Sequence, residues 1–193
     1  MSVAAVILAA GASRRLGRPK QDVILAGETL LQRTIRVARE ASLSPVIVVS
    51  RANADCTKTG DSGSPVITAI NHEPDEGLAS SIRCGIAAAS DHGVAGAVIL
   101  ACDQPTLRAD HLRALVDDES RTTGSAYGGS IGVPAYFPTA SFPLLLQLRG
   151  DVGARKLLIN AHSVSAEDLA LDIDTAQDLT IARALLEPDS VQS

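Results

Sequence analysis

V-A-A-V-I-L-A-A, Val3 to Ala10, is an unbroken apolar run that stops at Gly11. So short and uniformly apolar a run reads as a strand buried on both faces, and such strands belong to parallel sheets enclosed by helices. Working outward, the pattern returns at Val46 to Ser50, at Val66 to Ile70 and at Gly96 to Ala101. Helical segments stand between the runs. Thr29 precedes a stretch in which Leu30, Leu31, Thr34, Ile35, Val37 and Ala38 form one apolar stripe. A second helix begins near Gly77 with Leu78, Ile82 and Ile86 on one face, and a third covers 107–118. G-G-S-I-G-V-P-A-Y-F-P, 128–138, suits an edge strand or a substrate loop because of its glycines and prolines. The last third predicts a helix over 153–161, a strand over Leu169–Ile173 and a helix over Thr175–Leu186. Such β-α-β alternation predicts a Rossmann-like three-layer α/β/α sandwich with a mostly parallel sheet. In these sheets ligands bind beyond the carboxyl ends of the strands.

Composition narrows the function classes. With 193 residues the chain suits one domain, expected over 1–187 with a tail at 188–193. A formal charge of −5 argues against neutralising the many phosphates of a long nucleic acid, and Tyr127, Tyr136, Phe137 and Phe142 are the only aromatics with which to stack bases. Nucleic acid is not an expected partner. Cys56, Cys84 and Cys102 are too few and too scattered for a disulfide framework or a C-x-x-C metal site. The sequence has no basic leader and no apolar stretch of the roughly 18 residues that a membrane span needs, so the expected location is cytoplasmic. His72, His92, His111 and His162 are scattered and read as surface residues, and no G-x-S-x-G elbow is present.

The chemistry begins where the first strand ends. L-A-A-G-A-S-R-R-L-G-R-P-K, Leu8 to Lys20, opens a buried strand into a loop with Arg14, Arg15, Arg18 and Lys20. Backbone N–H groups and cations gathered there suit a polyphosphate, although a solvated basic turn has the same composition. The spacing of Gly11 and Gly17 is not G-x-G-x-x-G, and Arg18-Pro19 stands where a P-loop needs Lys and then Ser or Thr. Asp103, directly after the buried run A-V-I-L-A-C, emerges at the same sheet edge as that loop and is a candidate magnesium ligand. In D-I-D-T, Asp172 to Thr175, a strand would point both carboxylates to one side. Alternatively, Asp174 or Thr175 caps the helix that follows.

These segments together resemble the small nucleotidyltransferases related to molybdenum cofactor cytidylyltransferase and guanylyltransferase, over nearly the whole chain. L-A-A-G-x-S-x-R-L-G with P-K looks like that family's first loop, and Asp103-Gln104-Pro105, Gly150-Asp151-Val152-Gly153-Ala154-Arg155 and Asp172-Ile173-Asp174-Thr175 look like its later motifs. The resemblance implies a fold of the nucleotide-diphospho-sugar transferase type. It implies that Leu8, Ala10, Gly11 and Ala12 border the nucleotide, that Arg15 and Lys20 hold its phosphates, and that Asp103 and Asp174 bind Mg²⁺, with Lys20, Arg15 and Asp103 as the catalytic set. It places Asn71, Gly77, Ser80 and Ser81 against base and ribose. Ala10 and Gln104 match cytidylyl members better than guanylyl ones, so CTP and molybdopterin cofactor are the expected substrates, with a molybdenum hydroxylase as a possible client. G-D-V-G-A-R would face the acceptor, Arg155 being available to a phosphate, although Asp151 as a helix cap accounts for the segment as well. Asp22 and the 53–65 loop depart from the family pattern, which leaves open another phosphorylated acceptor, such as a sugar or alcohol phosphate, or a non-catalytic role in cofactor delivery.

Overall fold

A computed structural model describes residues 2–11, 16–51 and 65–187. In chain order the elements are β1 (Val3–Leu8), β2 (Ile24–Leu25), β3 (Glu28–Thr29), α1 (Leu30–Glu40), β4 (Val46–Arg51), β5 (Val66–Asn71), α2 (Leu78–Ser90), β6 (Gly96–Ala101), α3 (Ala109–Leu115), β7 (Thr123–Tyr127), β8 (Ser130–Pro138), α4 (Phe142–Leu145), α5 (Arg155–Leu158), β9 (His162–Ser165) and α6 (Ala176–Leu186). Seven strands form one sheet in the order β5-β4-β1-β6-β8-β7-β9. β5, β4, β1 and β6 run parallel, β8 is antiparallel to β6 and to β7, and β9 is parallel to β7.

The uniformly apolar run works as predicted because alternate residues feed two different cores. Val3, Ala5 and Ile7 pack with Leu31, Ile35 and Ala38 of α1 and with Leu112 and Leu115 of α3. Ala4 and Val6 pack on the other face with Ile82 and Ile86 of α2, Phe142 and Leu145 of α4, and Leu158 of α5. At Gly85 a Cβ would lie 2.3 Å from Val6 Cγ1 and 2.9 Å from Val49 Cγ2, so α2 rests on the sheet at a distance only glycine allows. α1 starts at a capping box in which Thr29 accepts from Gln32 N and Gln32 Oε1 accepts from Thr29 N.

A third, smaller core gathers Val23, Leu25 and Leu30 against Ile173, Leu179 and Ala182. It joins the β2–β3 hairpin to the carboxyl-terminal α6, and Glu187 accepts a hydrogen bond from Ala26 N beside it.

Several expectations are corrected. Leu169–Ile173 is not a strand: a 3-10 turn covers Glu167–Ala170 and no regular element follows until α6. Its apolar residues serve separate cores, Leu169 the first and Ile173 the third, so they mimic a strand without one. The strand that closes this side of the sheet is instead β9, a polar and largely exposed segment, with β5 at the opposite edge. Within the 128–138 stretch Gly128 and Gly129 form the turn that follows β7, and the rest is β8, an interior strand between β6 and β7 rather than an edge. Pro134 is tolerated there by an irregularity: pairing passes from Gly124↔Ala135 to Ser125↔Gly132, and Val133 and Pro134 have no partner in that ladder. The helices expected over 107–118 and 153–161 contract to α3 and to the single turn of α5. Leu78, expected on the buried face, is 42% exposed.

His111 is not a surface residue like His72, His92 and His162. It is half-buried, and its Nε2 lies 2.7 Å from Ser125 Oγ. Ser125 donates to the Pro134 carbonyl at 2.6 Å, so Nε2 carries a hydrogen and donates to Ser125. Burial pulls the His111 pKa below its ordinary value.

Among the described residues, no helix is long and apolar enough to cross a membrane.

Candidate active site

Lys20 opens a 3-10 turn, Lys20–Asp22, that follows Pro19 and leads into Val23. Val23 anchors that turn in the third core, where Ile173 meets it. Asp174 follows Ile173, and Ile173 N donates to the carbonyl of Asp103 at 2.9 Å. One small apolar cluster and one backbone hydrogen bond therefore bring together three charged residues that are far apart in sequence. Lys20 Nζ donates to Asp103 Oδ2 at 2.8 Å and also to Asp174 Oδ1. These side chains are 17%, 22% and 29% exposed. Burial alone lowers the Lys20 pKa, but the bonds and charges of Asp103 and Asp174 outweigh it and hold the ammonium above its usual range. Asp172 faces the same cluster; desolvation, then the charge of Asp103, push its carboxyl up to about 6.

Lys20 and Asp103 line a cleft of about 760 Å³ at the carboxyl ends of the parallel strands. Leu8, Ala10, Gly11, Gly77 and Ser81 line it too. Asn71 and Ser80 do not: they lie beneath the wall, 4% and 3% exposed. Asn71 Nδ2 donates to Ser80 Oγ at 2.8 Å and to Ser81 Oγ at 3.0 Å, while Asn71 Oδ1 accepts from Glu73 N at 2.9 Å. Their visible work is to shape the 72–77 loop. Asp174 touches Lys20 without lining the cleft. Ala12 and Arg15 lie outside the described residues, as does the 53–64 part of the unmatched loop.

D-I-D-T is not part of a strand, and the capping reading holds at Thr175. Thr175 caps α6 in a reciprocal box with Asp178, which leaves Asp174 for Lys20. Asp151 is a cap, but of a different helix from the one that follows it: its Oδ1 accepts from Leu78 N at 3.3 Å, at the start of α2. Arg155 is exposed, reaches Ser130 Oγ at 3.4 Å and does not line the cleft. Gln104 is 5% exposed and donates to Tyr127 Oη, Val133 O and Leu169 O. Of these three partners, Val133 lines the cleft.

Sequence reasoning missed Arg51. This residue lines the cleft, donates from Nε to the Ala10 carbonyl at 2.8 Å, and pairs with Asp75 at 3.3 Å. The signal was present, since Arg51 follows a buried strand as directly as Asp103 does. Cys84 and Cys102 are free thiols. Burial raises both pKa values, Cys102 to about 12, so neither is a ready nucleophile.

Asp103 and Asp174 converge on one ammonium, so their oxygens address one point. Among the described residues, no group of three or more His, Cys, Asp or Glu side chains is placed to hold a metal. Two carboxylates nevertheless fit magnesium, which keeps several waters and takes its remaining ligands from phosphates. The donor set, all hard oxygens, suits that ion or manganese rather than zinc.

An α/β sheet with a cation and paired carboxylates at its carboxyl edge is a frame for binding a polyphosphate with its counter-ion. Residues 5–165 match the MobA-like NTP transferase domain, and the chain belongs to that family of nucleotidyltransferases. It is 34% identical to the purine catabolism protein PucB of Bacillus subtilis, covering 92% of this chain and 94% of that one. It is 35% identical to a probable molybdenum cofactor guanylyltransferase of Opitutus terrae, over 56% of this chain and 51% of that one. Among solved structures, Rv0371c of Mycobacterium tuberculosis H37Rv is 29% identical, with a TM-score of 0.78 and coverage of 97% and 99%; a manganese complex of the same protein aligns with a TM-score of 0.73 at 27% identity, with the same coverage.

Proposed function

We propose that this chain transfers a nucleoside monophosphate from an NTP, CTP for preference, to a phosphate of molybdopterin cofactor and releases pyrophosphate. The observation that carries the reading is Lys20 Nζ, bonded to both Asp103 and Asp174 beside a cleft of nucleotide size. An acceptor phosphate oxygen forms a bond to the α-phosphorus as the bond from that phosphorus to the bridging oxygen breaks, and pyrophosphate departs with the electron pair. No side-chain nucleophile is required, in keeping with the unactivated thiols of Cys84 and Cys102. The protein supplies position and charge. Lys20, joined by Arg15, holds phosphate oxygens and stabilises charge on the leaving group. Asp103 and Asp174 hold Mg²⁺, which when bound neutralises phosphate charge. The manganese complex of Rv0371c supports a divalent ion in this fold.

The backbone of Leu8, Ala10 and Gly11 borders the nucleotide, with Gly77 and Ser81 on the facing wall. Asn71 and Ser80 act from behind that wall. CTP rests on the resemblance at Ala10 and Gln104; since Gln104 does not reach the cleft, its influence on base choice passes through Val133. GTP is the second candidate, favoured by the name of the Opitutus relative. We place the reaction in the cytoplasm, on a single domain over 1–187, with a molybdenum hydroxylase as client of the product.

Replacing Asp103 tests the assignment. Asp103→Ala is expected to lower turnover about 100-fold or more, a loss of about 3 kcal/mol in transition-state stabilisation. Near-normal turnover would remove Asp103 from the reaction.

A further inference from the structure

A set of polar contacts joins residues 73–83 to the turn at 148–151. Arg83, on the second turn of α2 and 19% exposed, donates from Nη1 to Glu76 Oε1 at 2.7 Å and to the Leu148 carbonyl at 2.8 Å. Its Nη2 pairs with Glu76 and lies 3.6 Å from Glu73. Glu76 Oε1 also accepts from Gly150 N at 3.2 Å. In return, the turn satisfies the start of α2: Asp151 Oδ1 accepts from Leu78 N at 3.3 Å and the Gly150 carbonyl from Ala79 N at 3.1 Å. Gly77 seals the join. Its φ is +116°, and a Cβ there would stand 2.7 Å from Gly150 O and 2.8 Å from Asp151 N.

We propose that Arg83 is a positioning residue that clasps the acceptor-facing turn, G-D-V-G-A, to the wall of the nucleotide cleft, so that both substrates are aligned by one rigid unit. The proposal rests on the functional reading above and extends it to a residue that touches neither substrate. Glu76, Gly77, Asp151 and Ala154 line the cleft, whereas Arg83 does not. Arg149, Asp151 and Val152 are exposed, so between Leu148 and Ala154, which both pack on the second core, the turn has little apolar packing to fix it. Its position depends on the hydrogen bonds just described. The guanidinium is suited to this because it presents donors in several fixed directions at once. The Arg83 bonds hold the Glu76 carboxyl down at about 2, so the clasp remains charged across the working pH range.

The test uses Arg83→Met, Arg83→Lys and Glu76→Gln in the full chain. Arg83→Met is expected to raise the acceptor KM about 10-fold or more, because a displacement of about 1 Å can cost up to 10²-fold, while the Kd for CTP changes less than about 3-fold. Arg83→Lys recovers only part of the loss, because a single ammonium lacks the fixed fork that reaches Glu76 and the Leu148 carbonyl together, and adding Glu76→Gln to Arg83→Met adds little, since both break one clasp. Equal shifts in both substrates in step with a falling Tm would reduce Arg83 to a structural role, and an unchanged acceptor KM would overturn the proposal outright. Amide hydrogen exchange in the free protein is the second measurement: Arg83→Met speeds exchange at Gly150 and Asp151 and spares the amides of β1 and β6. Unchanged exchange at those residues refutes the clasp whatever the activity, whereas wild-type silence with every acceptor refutes the functional reading and, with it, the acceptor role of the turn.

Discussion

Replacing Lys20 with Met should abolish catalysis and at the same time improve metal binding. In the free protein the ammonium bonds Asp103 and Asp174 together, all three side chains being less than one third exposed. A hydrogen bond to a charged group contributes about 1.5–3 kcal/mol net. A divalent cation arriving without nucleotide must displace at least one such bond, so Lys20 weakens metal binding by about 10- to 100-fold, at about 1.4 kcal/mol per factor of ten. Lys20→Met is therefore expected to bind free Mn²⁺ about 10- to 100-fold more tightly than wild type, measured by calorimetry or by the paramagnetic signal of the free ion. The same variant should lose about 10²-fold or more in pyrophosphate release, because its phosphate-holding cation is gone. Its Tm should be below wild type without metal, where two carboxylates repel each other, and should rise more on adding Mg²⁺. Equal or weaker Mn²⁺ binding in Lys20→Met would refute the idea that Lys20 and the metal compete for one pair of carboxylates.

Further outcomes follow from particular contacts. Gly77→Ala combines a φ of +116° with a Cβ pressed against Gly150 and Asp151; it should cost about 1–3 kcal/mol in a urea titration. His111 has a folded pKa below its ordinary value of 6.5 because burial disfavours the imidazolium. The stability it contributes is present above about pH 6.5 and is lost as pH falls below that, at up to about 1.4 kcal/mol per pH unit. Urea midpoints between pH 7 and pH 5 should therefore fall less steeply in His111→Gln than in wild type.

How much of this was legible in the sequence depends on whether a residue acts through its neighbours or across the fold. The strands β1, β4 and β6 announce themselves because burial on both faces demands an uninterrupted apolar run, and the sheet edge they share predicts where Lys20 and Asp103 meet. Asp174 was identifiable as a candidate, yet its separation from the cap was not: only the structure gives the capping to Thr175 and Asp178. Long-range uses of ordinary residues stayed hidden. Leu169 and Ile173 look like one strand because two cores each demand an apolar residue nearby. Pro134 suggested an edge, since sequence does not display the shift in pairing that excuses it from the ladder. Asn71 and Ser80 were matched to the nucleotide by motif, and the sequence does not display that they lie beneath the cleft wall, bonded to each other and to the Glu73 and Gly77 backbone. Asp151 looked like the cap of the helix beside it and caps one that begins 73 residues earlier.

The central claim is tested most directly by pyrophosphate release with Mg²⁺ and each of CTP, GTP, ATP and UTP, with and without molybdopterin cofactor. Release that requires the cofactor and is fastest with CTP is the predicted result. Release driven by a sugar or alcohol phosphate instead would contradict the acceptor assignment, and no release with any pair would contradict the assignment of the site as a nucleotidyltransferase centre.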